Sequence, residues 1–287
     1  VIIRKSIDEI ERMRDAGGVV HRVLETCGQA LRAGVTTGEI DMLGHQTMVD
    51  AGVRGLFKNY PTYVEGEGFP GNLCISVNEE VVHGIGGDRV LRQGDVISID
   101  CGVELDGWCG DSAKSFVVGS CGEDEAGEMD QRDSSRFGEN PDATESAALR
   151  LVRVTEEVLH LAIDLVRPGR RWSEIARRMQ VHAEEAGLGV VRGYAGHGIG
   201  RTMHEDPTVP NFWSRQLERN DIELVEGMTF AVEPMCTLGS RDVRTLDDGW
   251  TVVTVDGLAA AHCEHTIAVM ADGASILTDG VGRRQPV

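Results

Sequence analysis

The chain has 287 residues, 41% of them hydrophobic and 26% charged, with a formal net charge of −19. That is apolar enough for a large core in one big domain or two, and too acidic for a phosphate-binding surface built on dense Lys and Arg. No run reaches the length of a membrane span, Val1–Ser6 lacks a signal-peptide profile, and the seven scattered cysteines form no C-x-x-C pair. A membrane protein, a disulfide scaffold and a zinc knuckle are excluded, and a cytoplasmic globular protein is expected.

Ser6 with Glu9 three residues on is a helix-capping pair, and Ile7, Ile10 and Met13 open a helical rhythm, which predicts one long helix over 6–33. A break at Ala33–Thr37 precedes a second helix that ends near Ala51-Gly52. Two apolar runs, Val96–Gly102 and Trp108–Ser112, flank Asp106-Gly107, a strong two-residue hairpin turn. Segment 120–145, within a stretch that holds nine acids against Arg132 and Arg136, shows no apolar period and reads as an acidic linker.

Beyond it the pattern recurs. Val158-Leu159 repeats Val23-Leu24, Gly169 repeats Gly34, Glu174-Ile175 repeats Glu39-Ile40, and Ala186-Gly187 repeats Ala51-Gly52, all at an offset of 135. Gly94–Asp100 is echoed by Gly227–Glu233, which sets Asp100 against Glu233. The expected architecture is a single α/β (α+β) domain spanning 1–287. Its two helix–helix–strand halves, about 1–119 and 146–280, meet across a pseudo-twofold axis, with an acidic strand from each half at the cleft.

The hairpin register sets Gly102 opposite Asp111, so Asp100 lies diagonally across on the same face, roughly 7–8 Å away, with open space left by Gly102. Carboxylates that close repel unless protons or cations intervene. Glu233, in Phe230–Pro234, and Glu264, in Cys263–Val269, are ionisable groups in apolar strands, each costing several kcal/mol unless paired or metal-bound. Gly196-His197-Gly198-Ile199-Gly200 lacks the G-x-G-x-x-G spacing of a phosphate loop; its small residues instead let His197 approach a crowded centre. Four carboxylates and one imidazole form a hard ligand set suited to a pair of Mn²⁺, Fe²⁺, Co²⁺ or Zn²⁺ ions. His21, His45, His160, His182, His262 and His265 read as ordinary polar residues.

Asn78–Ile85, Asp100, Asp111, Gly196–Gly200, His204–Pro207, Phe230–Pro234 and Glu264–Thr266, in this order, resemble the type I methionine aminopeptidases, which have a duplicated pita-bread fold. The resemblance implies removal of the N-terminal methionine from nascent proteins and peptides, with a small second residue preferred. It implies two divalent metal ions (Co, Mn, Fe or Zn) held by Asp100, Asp111, His197, Glu233 and Glu264, with Asp111 and Glu264 bridging. Glu233 takes the proton of the attacking water, while His204 stabilises the oxyanion and His83 hydrogen-bonds the scissile amide. Phe69, Cys74 and Trp250 surround the methionine side chain, with Tyr60 and Tyr63 nearby and Met203 where many relatives carry an aromatic. The implied partners are nascent N-termini and, transiently, the ribosome through local arginines such as Arg241 and Arg244; a monomer in the cytoplasm is expected. Three readings compete: a proline-directed peptidase of the same fold, which usually carries an extra N-terminal domain; a catalytically dead binding module, which would have lost ligands; and a generic soluble α/β protein with coincidental acids, against which the ordered motif set argues.

Overall fold

The computed structural model describes residues 1–61, 68–119 and 145–281. The acidic segment 120–144 and Tyr63 lie outside them. Helix α1 spans Ile7–Ala30 and α2 spans Thr37–Asp50, each opened by a reciprocal capping box, Ser6 with Glu9 and Thr36 with Glu39. α1 ends three residues short of the expected Ala33 because Leu31 turns extended and the next residues pair elsewhere. Gly34 N–H donates to Leu91 O, and Leu91 N–H returns a bond to Val35 O. A long-range pairing, absent from the local pattern, stops the helix.

Helices α3 (Ala147–Leu165) and α4 (Trp172–Glu185) form the second pair. The 135-residue offset carries Ala30, Thr37 and Asp50 onto Leu165, Trp172 and Glu185, which are the observed helix ends. The backbone repeats as well. Gly34 and Gly169 have φ of 94° and 82°, and Gly94 and Gly227 have φ of 84° and 88°.

Each helix pair covers its own core. α1 and α2 pack on Leu73, Ile75, Ile97 and Ile99. α3 and α4 pack on Phe230, Val232, Ile267 and Val269, where Trp172 meets Phe230 edge-on at 5.4 Å. Each such aliphatic side chain taken out of water contributes about 1.5–3 kcal/mol.

The hairpin pairs Val96–Leu105 with Trp108–Val117 in the register expected from its turn: Leu105 faces Trp108, Gly102 faces Asp111 and Asp100 faces Ala113. Asp106 and Gly107 both have positive φ, 51° and 76°, as a two-residue hairpin turn requires. Cys74–Val77 lines the other edge of the first strand, with Cys74 opposite Asp100. Behind the hairpin α1 comes very close; a side chain at Gly110 would meet the Gly17 backbone at 2.8 Å.

The second half contributes a five-stranded antiparallel sheet in the order Gly273–Ile276, His265–Met270, Thr229–Val232, Ala195–Gly198 and Glu205–Pro210. Two of its strands change partners midway. Val232 pairs with His265 in this sheet, whereas Met235 pairs with His262 in a smaller one. Glu233-Pro234 and Cys263-Glu264 lie at that crossover, where Cys263 N–H donates to Pro234 O at 3.3 Å. Both glutamates thus sit at strand breaks and not inside regular strands, and the strand expected over Cys263–Val269 begins at His265. Among the described residues no helix is long and apolar enough to cross a membrane.

Candidate functional site

The two halves meet at the acidic strands. Glu264 N–H donates to Ala113 O at 2.8 Å, and Thr266 Oγ1 donates to Asp111 O at 2.7 Å while accepting from Asp111 N–H at 3.2 Å. These bonds clamp the hairpin to the second-half sheet at the level of the carboxylates. Asp111 and Glu264 are 4% and 3% exposed.

His197 enters from Ala195–Gly198, a strand whose glycines leave no room for side chains: a Cβ at Gly196 would lie 2.2 Å from Ala231 O, and one at Gly198 2.1 Å from Asp206 O. His197 Nδ1 lies 3.0 Å from Gly198 O. A carbonyl only accepts, so the proton is on Nδ1 and the Nε2 lone pair faces the carboxylates. Nε2 is 3.7 Å from Glu233 Oε1 and 4.0 Å from Asp111 Oδ2. Burial, then the neighbouring His204, pulls His197 down to about 4, so it is a neutral donor. One donor atom each from Asp111, His197 and Glu264 falls within 4.8 Å of the others.

The carboxylates are held far from their ordinary state. Burial pushes Asp100 up to about 7. Burial also raises Asp111, with Asp100 and Glu233 adding repulsion; Glu233, with Asp100 adding; and Glu264, with Asp111, Asp100 and Glu233 adding. Among the described residues Asp100 Oδ1, Asp111 Oδ1 and Glu264 Oε1 are buried without a hydrogen-bond partner. Buried acceptors left bare cost about 1–3 kcal/mol each, more when charged. A bound divalent cation satisfies both requirements at once. The donor set fits one.

Of the histidines read as ordinary, His182 pairs with Glu157 at 3.1 Å and His265 bonds Thr278 at 2.8 Å. His262 does not conform. It is 3% exposed, and its Nε2, without a hydrogen-bond partner among the described residues, lies 3.9 Å from Glu233 Oε2 and 4.0 Å from Glu264 Oε2. Burial, then His83, pulls it down to about 3. In the sequence His262 stands two residues before Glu264, a spacing that would share a face in a continuous strand, but the strand breaks at Cys263 and local pattern does not show what His262 meets.

Above the carboxylates opens a cavity of about 620 Å³ lined by His83, Tyr194, His197, His204, Thr208 and Glu233 among others. His83 follows a short strand with φ of 59°, a left-handed backbone that turns its ring toward Tyr194, edge-on at 5.6 Å. Burial, then His204, pulls His83 down to about 4. The His204 ring lies against that of His197, tilted by 59° with centroids 4.2 Å apart, and burial lowers His204 too. Its loop is moored by the buried pair Lys5–Glu205 at 2.6 Å, Glu205 also accepting from Arg201 N–H at 2.8 Å. Lys5→Met leaves a buried carboxylate unpaired, and a loss of about 3–5 kcal/mol in urea unfolding is expected; an unchanged midpoint would refute the mooring.

Beside the carboxylates lies a buried apolar cluster of Phe57, Phe69, Cys74 and Met203, with Tyr60, Ile85 and Trp250 packed against it. Phe69 and Trp250 meet edge-on at 5.2 Å. The expected Phe69, Cys74, Trp250, Met203 and Tyr60 therefore come together, while Phe57 escaped the sequence reading. It occupies the room left by Gly102, whose added Cβ would meet the Phe57 ring at 2.8 Å and Asp111 Oδ1 at 3.3 Å.

Buried carboxylates with a neutral imidazole, below an open cavity and beside an apolar cluster, point to the class: a metal-dependent hydrolase. Residues 11–271 match metallopeptidase family M24. The chain is 40% identical over 278 residues to methionine aminopeptidase 1 of Bacillus subtilis and 39% identical to the methionine aminopeptidase of Clostridium perfringens, covering 97% of this chain and 99% of each relative. The crystal structure of the Thermotoga maritima methionine aminopeptidase superposes with a TM-score of 0.82 at 37% identity, over 97% of this chain and 99% of that one. The chain belongs to family M24, with the pita-bread fold, and within it to the type I methionine aminopeptidases, hydrolases that use divalent metal to release an N-terminal methionine.

Proposed function

We propose that this aminopeptidase acts on nascent proteins and peptides, preferring a small second residue, with two divalent ions of Mn, Fe, Co or Zn. Asp111 and Glu264 would be shared between the ions, Asp100 would serve one, and His197 with Glu233 would serve the other. When bound, such ions acidify water and polarise the scissile carbonyl. Glu233 accepts the proton of the attacking water, and its raised basicity suits that task. His204 donates to the developing oxyanion, and His83 hydrogen-bonds the scissile amide and helps its nitrogen leave.

The pocket of Phe57, Phe69, Cys74, Met203 and Trp250 takes the methionine side chain. Cys74 suits a wall, because burial holds its thiol well above the ordinary range and so uncharged. The free α-amine lies at the Asp100 end, which limits cleavage to the first residue. The carrying observation is the contiguity of the apolar cluster and the carboxylates: Cys74 pairs with Asp100, and Phe57 and Asp111 flank Gly102. The enzyme works as a cytoplasmic monomer, with transient ribosome contact through arginines such as Arg241 and Arg244, and without membrane or nucleic-acid binding.

The test is release of the first residue from Met-Ala, Leu-Ala, Met-Lys and Ala-Pro peptides by metal-stripped protein, with and without Mn²⁺ or Co²⁺. Metal-dependent turnover of Met-Ala far above Met-Lys and Leu-Ala is expected. Comparable Leu-Ala cleavage would show that Met203 softens selection. Cleavage of Ala-Pro would move the protein to the proline-directed branch, and silence with metal bound would make it a binding module.

A further inference from the structure

The mechanism assigns His204 a donor role without saying which nitrogen carries the proton. Tyr60 Oη lies 2.7 Å from His204 Nδ1, the two rings meeting edge-on with centroids 5.6 Å apart. Tyr60 is itself anchored. Its N–H donates to Phe57 O at 2.8 Å, its carbonyl accepts from Phe69 N–H at 3.0 Å, and its ring packs against the apolar cluster.

A neutral imidazole has one donor and one acceptor nitrogen, and the partner of one decides the role of the other. The phenol is a stronger acid than a neutral imidazole N–H, and an imidazole nitrogen is a stronger base than a phenol oxygen. The contact is therefore an O–H donated to Nδ1. That leaves the ring proton on Nε2, the nitrogen not engaged by Tyr60.

Resting on the reading of His204 as oxyanion donor, we propose that Tyr60 is a positioning residue that sets the His204 tautomer, holding Nε2–H ready to donate into the cavity. The Tyr60 ring forms pocket wall, and its hydroxyl acts through His204. The two roles separate in Tyr60→Phe, which keeps the ring and removes the hydroxyl.

The experiment compares wild type, Tyr60→Phe, His204→Ala and the double variant on Met-Ala, with metal analysis. It adds ¹⁵N spectra of the histidine rings in the zinc-loaded protein. For Tyr60→Phe we expect kcat to fall about 10- to 100-fold with KM and metal content unchanged, and the His204 nitrogens to move from the Nε2–H pattern toward a tautomer mixture. In the His204→Ala background the hydroxyl should make no further difference. An unchanged ¹⁵N pattern in Tyr60→Phe, or an equal loss of rate with and without His204, would overturn the proposal. A rise in KM at constant kcat would assign the hydroxyl to the pocket wall and would likewise overturn it. Full activity in His204→Ala would refute the oxyanion reading and the catalytic consequence drawn here, while the spectra would still decide the tautomer claim.

Discussion

Glu233→Gln is expected to lower kcat on Met-Ala about 10²–10⁴-fold and to weaken divalent-metal binding, whereas His204→Ala should lower kcat about 10²–10³-fold with metal content intact. The contrast follows from position. Glu233 stands at the strand crossover, its backbone carbonyl accepting from Asn211 Nδ2 at 3.0 Å and its carboxylate 3.7 Å from His197 Nε2. The amide keeps the shape and one oxygen but can no longer take a proton. His204 meets the same cavity from its rim and faces His197 by its ring, with Nδ1 engaged by Tyr60. Its loss removes a donor to the substrate and no carboxylate oxygen. Steady-state rates and metal analysis of the purified variants decide the matter. A Glu233→Gln enzyme with more than a tenth of normal activity, or a His204→Ala enzyme stripped of metal, would reverse the assignments.

The metal-stripped protein is expected to lose stability as pH rises from 6.5 to 8, by about 1.4 kcal/mol per pH unit for each net proton the folded site holds beyond the unfolded chain. Asp100, raised from 3.8 to about 7, and Asp111, Glu233 and Glu264, raised well above their ordinary values, bind protons in the folded state that the unfolded chain has already released. A raised carboxylate therefore favours the folded state at low pH and loses that contribution as pH climbs through its folded value. His83, His197, His262 and His265 act in the opposite sense. Lowered from 6.5 to between about 3 and about 4, they favour folding as pH rises toward 6.5.

Below 6.5 the two sets oppose each other. Above it the unfolded-state histidines shed their remaining protons over about one further pH unit, so their opposing contribution fades and the carboxylates dominate, before the buried thiols enter at higher pH. Added Mn²⁺ or Zn²⁺ binds the ionised carboxylates, so the gap in Tm between loaded and stripped protein should widen across this window. Stability of the stripped protein that rises with pH between 6.5 and 8 would contradict the buried, uncompensated state of the cluster.

Much of this molecule is legible in its sequence alone, where local rules dominate. Asp106-Gly107 sets the hairpin register because two consecutive positive-φ residues are cheap there, and a one-residue slip would turn every side chain to the other face. Ser6 and Thr36 announce their helices because each reciprocates bonds with a glutamate three residues on. The repeat survives because duplicated halves need the same turns, and glycine is retained where φ is positive. Asp100, Asp111, Glu233 and Glu264 stood out because ionisable groups amid apolar strand residues demand a reason.

The tertiary structure decided the rest. α1 stops at Ala30 because Gly34 and Val35 pair with Leu91, a partner no local pattern reveals. His262 joins the site because its strand and that of Glu233 change sheets together, and periodicity names a face but not what lies opposite. Phe57 and Tyr60 reach the metal-side pocket and His204 across long sequence distances. Local chemistry within a few residues settles turns, caps and the identity of unusual side chains. Which of those side chains meet depends on how two sheets pack, and that is a property of the whole chain.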